Sequence, residues 1–291
     1  MEIYISAIIY GFSAAGIFFM VSIPISIGYG LMRIVNIEAL LYYSIGAYVC
    51  YSITSITGSF ILGAISAFIA GGLLGFLVEL SLIRKIYKRE SMFTMVATFS
   101  VLMMGIGVIQ WLWRLDPKPV STPIARVISI GAMNVPVYRI IIIIIALISF
   151  IAIQLIFNKT ITGKALRAGI ENRDDVEGLG ININRIFTRT FTMASCFAGL
   201  AGALNAPLIM VTPYMGYDML LFAFITVILG GLGSIKGTLV SALIIGQVIN
   251  LGGLISGNFS FIGPFLIMFI IIIFKPNGLF GVKSKSLGYD E

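Results

Sequence analysis

VYRIIIIIIALISFIAIQLIF, residues Val137–Phe157, decides the class of fold. Arg139 at its leading edge is its sole charge. A bilayer core about 30 Å thick takes roughly 20 such residues for each helical crossing. The apolar character is continuous and lacks the period-two alternation of a membrane barrel, so the spanning element is a helix that pairs its own backbone groups. Comparable runs precede it at Ile5–Leu31, Leu40–Ile56, Phe60–Leu80 and Phe93–Trp113. Others follow at Phe187–Met210, Met219–Leu229, Leu239–Leu254 and Phe261–Phe274. The sequence predicts an all-α, polytopic transmembrane bundle of about eight or nine spans. Residues 1–291 form a single transmembrane domain with no room for a separate soluble unit.

Composition agrees: 59% of residues are hydrophobic and 11% charged, which excludes an ordinary soluble fold. The run Ile3–Leu31 is too long for a leader core and has no basic segment before it, so it reads as a retained span. Lysine and arginine concentrate in two loops, Arg84–Arg89 and Lys159–Arg189, and in the tail at Lys275, Lys283 and Lys285. By the positive-inside rule these face the cytoplasm, which puts the N-terminus outside and the C-terminus in the cytoplasm. The loop Arg114–Pro136 is then external. The net charge of +7 is accounted for by this anchoring, not by a nucleic-acid partner. Cys50 and Cys196 sit in apolar runs without metal or redox spacing and read as small core side chains.

Catalytic chemistry is missing. There is no histidine, and no carboxylates cluster within the apolar runs, so the chain reads as a non-enzyme without a cofactor or metal. The stretch Gly230–Thr238 superficially resembles a phosphate loop, but Ile235 precedes Lys236 where that motif requires glycine, so it does not bind ATP. Glu38 lies near Arg33 at a span end, where a membrane-end ion pair is expected. Glu79 also ends its span. Uphill transport would draw its energy from another protein.

Two spans are interrupted, one at Pro24, Gly28 and Gly30, the other at Gly230–Gly237. Paired breaks in the halves of a transporter commonly mark the substrate route, since unwound backbone at membrane depth needs protein or a water-filled cavity beside it. The alternative is that the glycines permit close helix packing. Polar candidates along such a route are Asn36, Ser44, Gln110, Asn205, Thr226, Ser234, Gln247 and Asn250, each of which equally suits an interhelical hydrogen bond. The loop at about 158–186 can form a short helix with Leu166, Ile170 and Val176 on an apolar side and Arg167, Glu171 and Asp174 on a charged one. Gly178 and Gly180 would end it.

Four stretches carry a resemblance: Tyr29–Asn36 continuing to Gly46-Ala47-Tyr48, Gly163–Ile186, Gly230–Gly237, and Phe274–Gly281. Their order and spacing resemble the branched-chain amino acid permease family of bacterial and archaeal ABC importers. The resemblance implies a permease subunit that moves branched-chain or related amino acids across a prokaryotic cell membrane by alternating access. It implies as partners a second permease subunit, two ATP-binding subunits and an extracytoplasmic solute-binding protein. The loop matching Gly163–Ile186 is similar to a coupling helix, which assigns Gly163, Arg167, Glu171, Asp174, Glu177 and Gly180 to the ATPase contact. The interrupted spans and polar positions together make Asn36, Ser44, Asn205, Thr226, Gly230, Gly231, Gly233, Ser234 and Gln247 the candidate substrate pathway. After Asn36 the family usually has Phe-Ala-His-Gly, whereas this chain has Ile37-Glu38-Ala39-Leu40. Two rivals stand beside this reading: a self-powered secondary transporter or channel for a small polar solute, and a non-transport membrane scaffold.

Overall fold

The computed structural model describes residues 2–32, 34–86, 89–130, 133–171, 176, 178 and 180–281. Long helices α1 (Glu2–Met32), α2 (Ala39–Thr57) and α3 (Phe60–Val78) come first. A wide π-helical turn, Glu79–Ile83, and the short α4 (Arg84–Ile86) extend α3. Then follow α5 (Ser91–Trp113), a hairpin of β1 (Val127–Ile130) and β2 (Met133–Pro136), α6 (Val137–Lys159) and α7 (Ile161–Glu171). The remainder is α8 (Ile183–Asn205), α9 (Met215–Gly230), α10 (Ile235–Ile255) and α11 (Gly257–Phe274). Among the described residues the bundle is all-α apart from that hairpin, which occupies part of the loop Arg114–Pro136.

Among the described residues, seven helices are long and apolar enough to cross a membrane. The expected spans Phe187–Met210 and Met219–Leu229 also fall on helices, α8 and α9, but outside that set. α8 opens with Arg185 and Arg189, and Met215–Gly230 covers only about 24 Å along its axis. Helix limits follow local chemistry. The Ser234 and Ser256 hydroxyls accept the Gly237 and Phe259 N–H groups at 3.1 and 3.2 Å, capping α10 and α11. Gly58, at φ 69°, closes α2 by donating its N–H to the Thr54 carbonyl.

One expectation is corrected. Pro24, Gly28 and Gly30 do not interrupt the first span, because α1 runs through all three to Met32. Proline and glycine are tolerated inside membrane helices. Beyond Met32 the chain turns back over α1: the Ile34 N–H reaches the Gly28 carbonyl at 3.4 Å, and a Cβ on Gly28 would stand 3.1 Å from the Asn36 Cβ.

Packing falls into two groups. α2, α3 and α8 lie against one another, while α1 packs along α10 and also meets α6, α8 and α9. In the first group small residues bring backbones into direct contact. A Cβ on Gly202 would collide with the Tyr43 carbonyl, one on Gly46 with the Gly199 backbone, and one on Gly71 would stand 2.7 Å from the Ser195 carbonyl oxygen.

Candidate pathway and coupling site

The end of α1 meets the break between α9 and α10. A Cβ on Gly30 would stand 2.8 Å from the Gly233 Cα, so the end of α1 and the link between α9 and α10 touch through bare backbone. Gly231 and Gly233 have φ of 96° and 85°, conformations that glycine adopts without a steric penalty. They let the chain reverse and restart as α10. The Leu279 and Phe280 N–H groups donate to the Leu229 and Gly230 carbonyls at 2.9 and 3.0 Å. The segment after α11 thereby satisfies carbonyls that the end of α9 leaves open.

Beside this contact lies a cavity of about 230 Å³. Ile27 and Gly30 of α1 line it, with Gln154 and Asn158 of α6, Leu166 of α7, and Gly233, Ser234 and Lys236 at the start of α10. It therefore borders the end of α1, the break before α10 and the short helix α7. Leu166 of α7 and Val176 beyond it are buried, while Ile161 and Lys164 are exposed; the Ile170 side chain, also expected on the apolar side, lies outside the described residues. A Cβ on Gly163 would collide with the end of α6, and one on Gly169 with the Ile183 side chain, so α7 is held close to its neighbours. Gly180, at φ 78°, turns the chain toward α8, whose Arg185 N–H is accepted by the Asn182 side chain at 3.1 Å. Arg167 and Glu171 belong to α7 by backbone, but their side chains, and all of Asp174 and Glu177, lie outside the described residues.

The polar candidates mostly fasten helices. Asn36 Oδ1 accepts the Ala39 N–H at 3.0 Å and so starts α2. Asn205 donates to the Tyr43 hydroxyl at 2.5 Å, Gln110 to the Tyr214 hydroxyl at 2.9 Å, and Gln247 to the Ile8 carbonyl at 3.0 Å. Ser44, Thr226 and Asn250 donate to carbonyls one turn back in their own helices. Gly230, Gly231, Gly233 and Ser234 gather at the break that the end of α1 meets. Ser44 and Asn205 do not join them, being packed beside Gly216 and Tyr43. Gln247 lies away from them too, against Gly11 near the start of α1.

Two clusters escaped the sequence reading. The first is a buried hydroxyl seam in which Thr238 donates to Ser26 at 3.0 Å, Ser22 to the Ala223 carbonyl at 3.3 Å, and Ser241 to the Thr226 carbonyl. Ser22 and Ser26, four residues apart on one face of α1, were its available signal. The second joins the end of α3 to α8. Glu79, fully buried, pairs with Arg84 at 3.4 Å and accepts the Thr188 hydroxyl at 2.9 Å; Arg84 also donates to Thr188 at 2.6 Å. Since 109 residues separate Thr188 from Glu79, no local pattern connects them.

Glu38, in the link between the spans Ile3–Gly30 and Ala39–Thr57, is fully buried, and neither carboxylate oxygen has a hydrogen-bond partner among the described residues. Its burial pushes the carboxyl up to about 8. Arg33, its expected partner, lies outside the described residues. Cys50 is buried and Cys196 half-buried, both as free thiols. Among the described residues no group of histidine, cysteine, aspartate and glutamate is placed to hold a metal.

These features define a class: a polytopic helical membrane protein in which the end of one helix meets the break between two others, beside a cavity that a short connecting helix also lines. Residues 7–275 match the family described as branched-chain amino acid transport system, permease component, and the chain belongs to that family. It is 23% identical over 290 residues to the high-affinity branched-chain amino acid transport system permease protein LivH of Salmonella typhimurium, with 93% of each chain covered. It is 24% identical over 291 residues to the probable branched-chain amino acid transport permease protein LivH of Methanocaldococcus jannaschii, covering 92% of this chain and 90% of the relative. The probable permease protein LivM of the same archaeon is 27% identical over 180 residues, 56% of this chain and 52% of that one. No solved structure matches. The chain is a membrane permease component and not itself an enzyme.

Proposed function

We propose that this chain is one permease subunit of an ATP-driven importer for branched-chain or related amino acids in a prokaryotic cell membrane, its N-terminus outside and α7 on the cytoplasmic side. Its partners are a second permease subunit, two ATP-binding subunits and an extracytoplasmic solute-binding protein. The observation that carries the coupling mechanism is the cavity lined at once by Leu166 of α7, Gly30 of α1 and Gly233–Lys236 before α10. A displacement of α7 has free volume to enter there, and the walls it meets are the two helix ends that touch through glycine backbone.

Nucleotide-driven movement of the ATP-binding subunits is received by the segment holding Gly163, Arg167, Glu171, Asp174, Glu177 and Gly180. It passes to the end of α1 and the break before α10, where Asn36, Gly230, Gly231, Gly233 and Ser234 border the route. Asn205 and Gln247 then act as interhelical fasteners, while Ser44 and Thr226 bond within their own helices. Half-helix ends and unwound backbone supply donors and acceptors for a zwitterion without a formal charge. Membership of the family and the full-length similarity to LivH proteins support the cargo class.

Co-purification from native membranes, followed by leucine uptake in liposomes, tests this reading. Recovery of an ATP-binding protein and ATP-dependent leucine uptake are expected. Uptake by this chain alone without an ATPase would replace it with a self-powered transporter.

A further inference from the structure

We infer that Glu79, Arg84 and Thr188 form a rigid strut that carries displacement of the coupling segment into α3, making them positioning residues for transport. The inference rests on the coupling reading above and deepens it. Its geometry begins with the π-helical turn Glu79–Ile83. Residues five apart face different directions on an α-helix, whereas the wider π turn, closed by the Arg84 N–H on the Glu79 carbonyl, brings them to one side. The Arg84 guanidinium thereby reaches the Glu79 carboxylate with Nε and Nη2, both at 3.4 Å.

Thr188 completes the unit from the opposite element. It lies in the second turn of α8, just after the Asn182 cap that ends the connection from α7. Its hydroxyl accepts from Arg84 at 2.6 Å and donates to Glu79 at 2.9 Å, with the Asn184 carbonyl at 2.8 Å as an alternative acceptor. The Glu79 side chain is fully buried, while that of Arg84 is 38% exposed. A carboxylate in that position is costly once separated from its donors. When α8 shifts at this end, α3 therefore shifts with it. Because α3 also packs against α2, whose first turn follows the link at 34–38, the motion reaches that link.

The test uses the whole complex of this chain with its partner permease, ATP-binding subunits and binding protein in liposomes. Leucine uptake and ATP hydrolysis are measured on the same vesicles for the parent, Thr188→Val and Thr188→Ser. Thr188→Val is expected to lower the leucine moved per ATP by roughly 3- to 30-fold, with Thr188→Ser restoring the ratio. A ratio unchanged in Thr188→Val, whether both rates persist or fall together, overturns the strut. Glu79→Gln, which keeps the shape and removes the charge, gives the same reading if Thr188→Val does not assemble.

A second readout needs no cargo. Nitroxide labels on Lys85→Cys and Arg185→Cys, both at exposed positions, are placed in a chain with Cys50→Ala and Cys196→Ala. Their separation is expected to stay constant between nucleotide-free and ATP-bound parent complexes and to change in Thr188→Val. Relative movement of the labels in the parent overturns the strut. Parent vesicles that hydrolyse ATP without taking up leucine overturn the proposed cargo, while the label distances still decide the strut.

Discussion

The contacts among α2, α3 and α8 and those where α1 meets the link between α9 and α10 use glycine in opposite ways. In the first, Gly46, Gly71, Gly199 and Gly202 let whole helices approach until backbone meets backbone, with no room for a methyl group. In the second, Gly30 and Gly233 touch at a point, and a cavity of about 230 Å³ opens beside them. A dense contact transmits displacement because packed groups have nowhere to go. A contact at one point beside free volume can rearrange. The difference assigns the moving parts to the ends of α1 and α10 and the rigid lever to α2, α3 and α8.

The sharpest way to break the comparison is to enlarge a glycine of the dense contact. Gly202→Val places carbon on the Tyr43 carbonyl, and relief requires α2 and α8 to part. A loss on the order of 3 kcal/mol or more is expected, enough to prevent recovery of a monodisperse species by size exclusion in detergent. A Gly202→Val chain that elutes and melts like its parent would show that the contact is not dense.

Glu38 is the next largest effect, because it puts a buried carboxyl without a hydrogen-bond partner among the described residues at the start of the same dense block. Burial holds that carboxyl at about 8 against its ordinary 4.5, so the folded chain keeps a proton that the unfolded chain releases. Its contribution to stability is complete below about 4.5 and is lost as pH rises through about 8. Glu38→Gln abolishes that dependence. The variant is expected to gain on its parent steadily across this window, reaching a relative gain on the order of 2 kcal/mol at the upper end, read as melting temperature against pH. Parallel curves would place the carboxyl in contact with a cation or water.

Much of this architecture was legible in the sequence, because membrane spans announce themselves by length and apolarity alone. Val137–Phe157 reads as a helix from any window. The break at Gly230–Gly237 was also legible, since Gly231 and Gly233 serve a positive-φ reversal that glycine favours. Pro24, Gly28 and Gly30 misled, because such residues are tolerated inside membrane helices and α1 runs through all three. α8 and α9 form as helices without reaching the length and apolarity of the other spans, since they carry Arg185 and Arg189 or are short. The Glu79–Arg84–Thr188 cluster was illegible: Glu79 reads as a span-end charge until α8 is folded against α3. Polar candidates such as Asn205 and Gln247 were visible as residues, but only packing shows that they bond across helices.

The remaining predictions probe the open contact, where smaller stability effects are expected alongside larger functional ones. Gly233→Ala forces an L side chain into φ 85° and against the Gly30 backbone. A stability cost of about 1–2 kcal/mol is expected, with a larger fractional loss of leucine uptake than of ATP hydrolysis; equal losses would remove the link at Gly231–Ser234 from the moving part.

Thr238→Val is the mildest, and it separates fastening from gating. Thr238 is buried in the seam between α10 and α1, where its hydroxyl bonds Ser26 at 3.0 Å and its own Ser234 carbonyl at 2.9 Å. Valine keeps the shape and removes the hydroxyl, so the cost is the interhelical bond, about 0.6 kcal/mol in a membrane setting. The melting temperature should fall by a degree or two while uptake per ATP stays at the parent value, because Thr238 lies one turn inside the cap and not at the contact. A change in that ratio, with the melting temperature held, would extend the moving part from the glycine link into the body of α10, and the hydroxyl seam would then belong to the pathway.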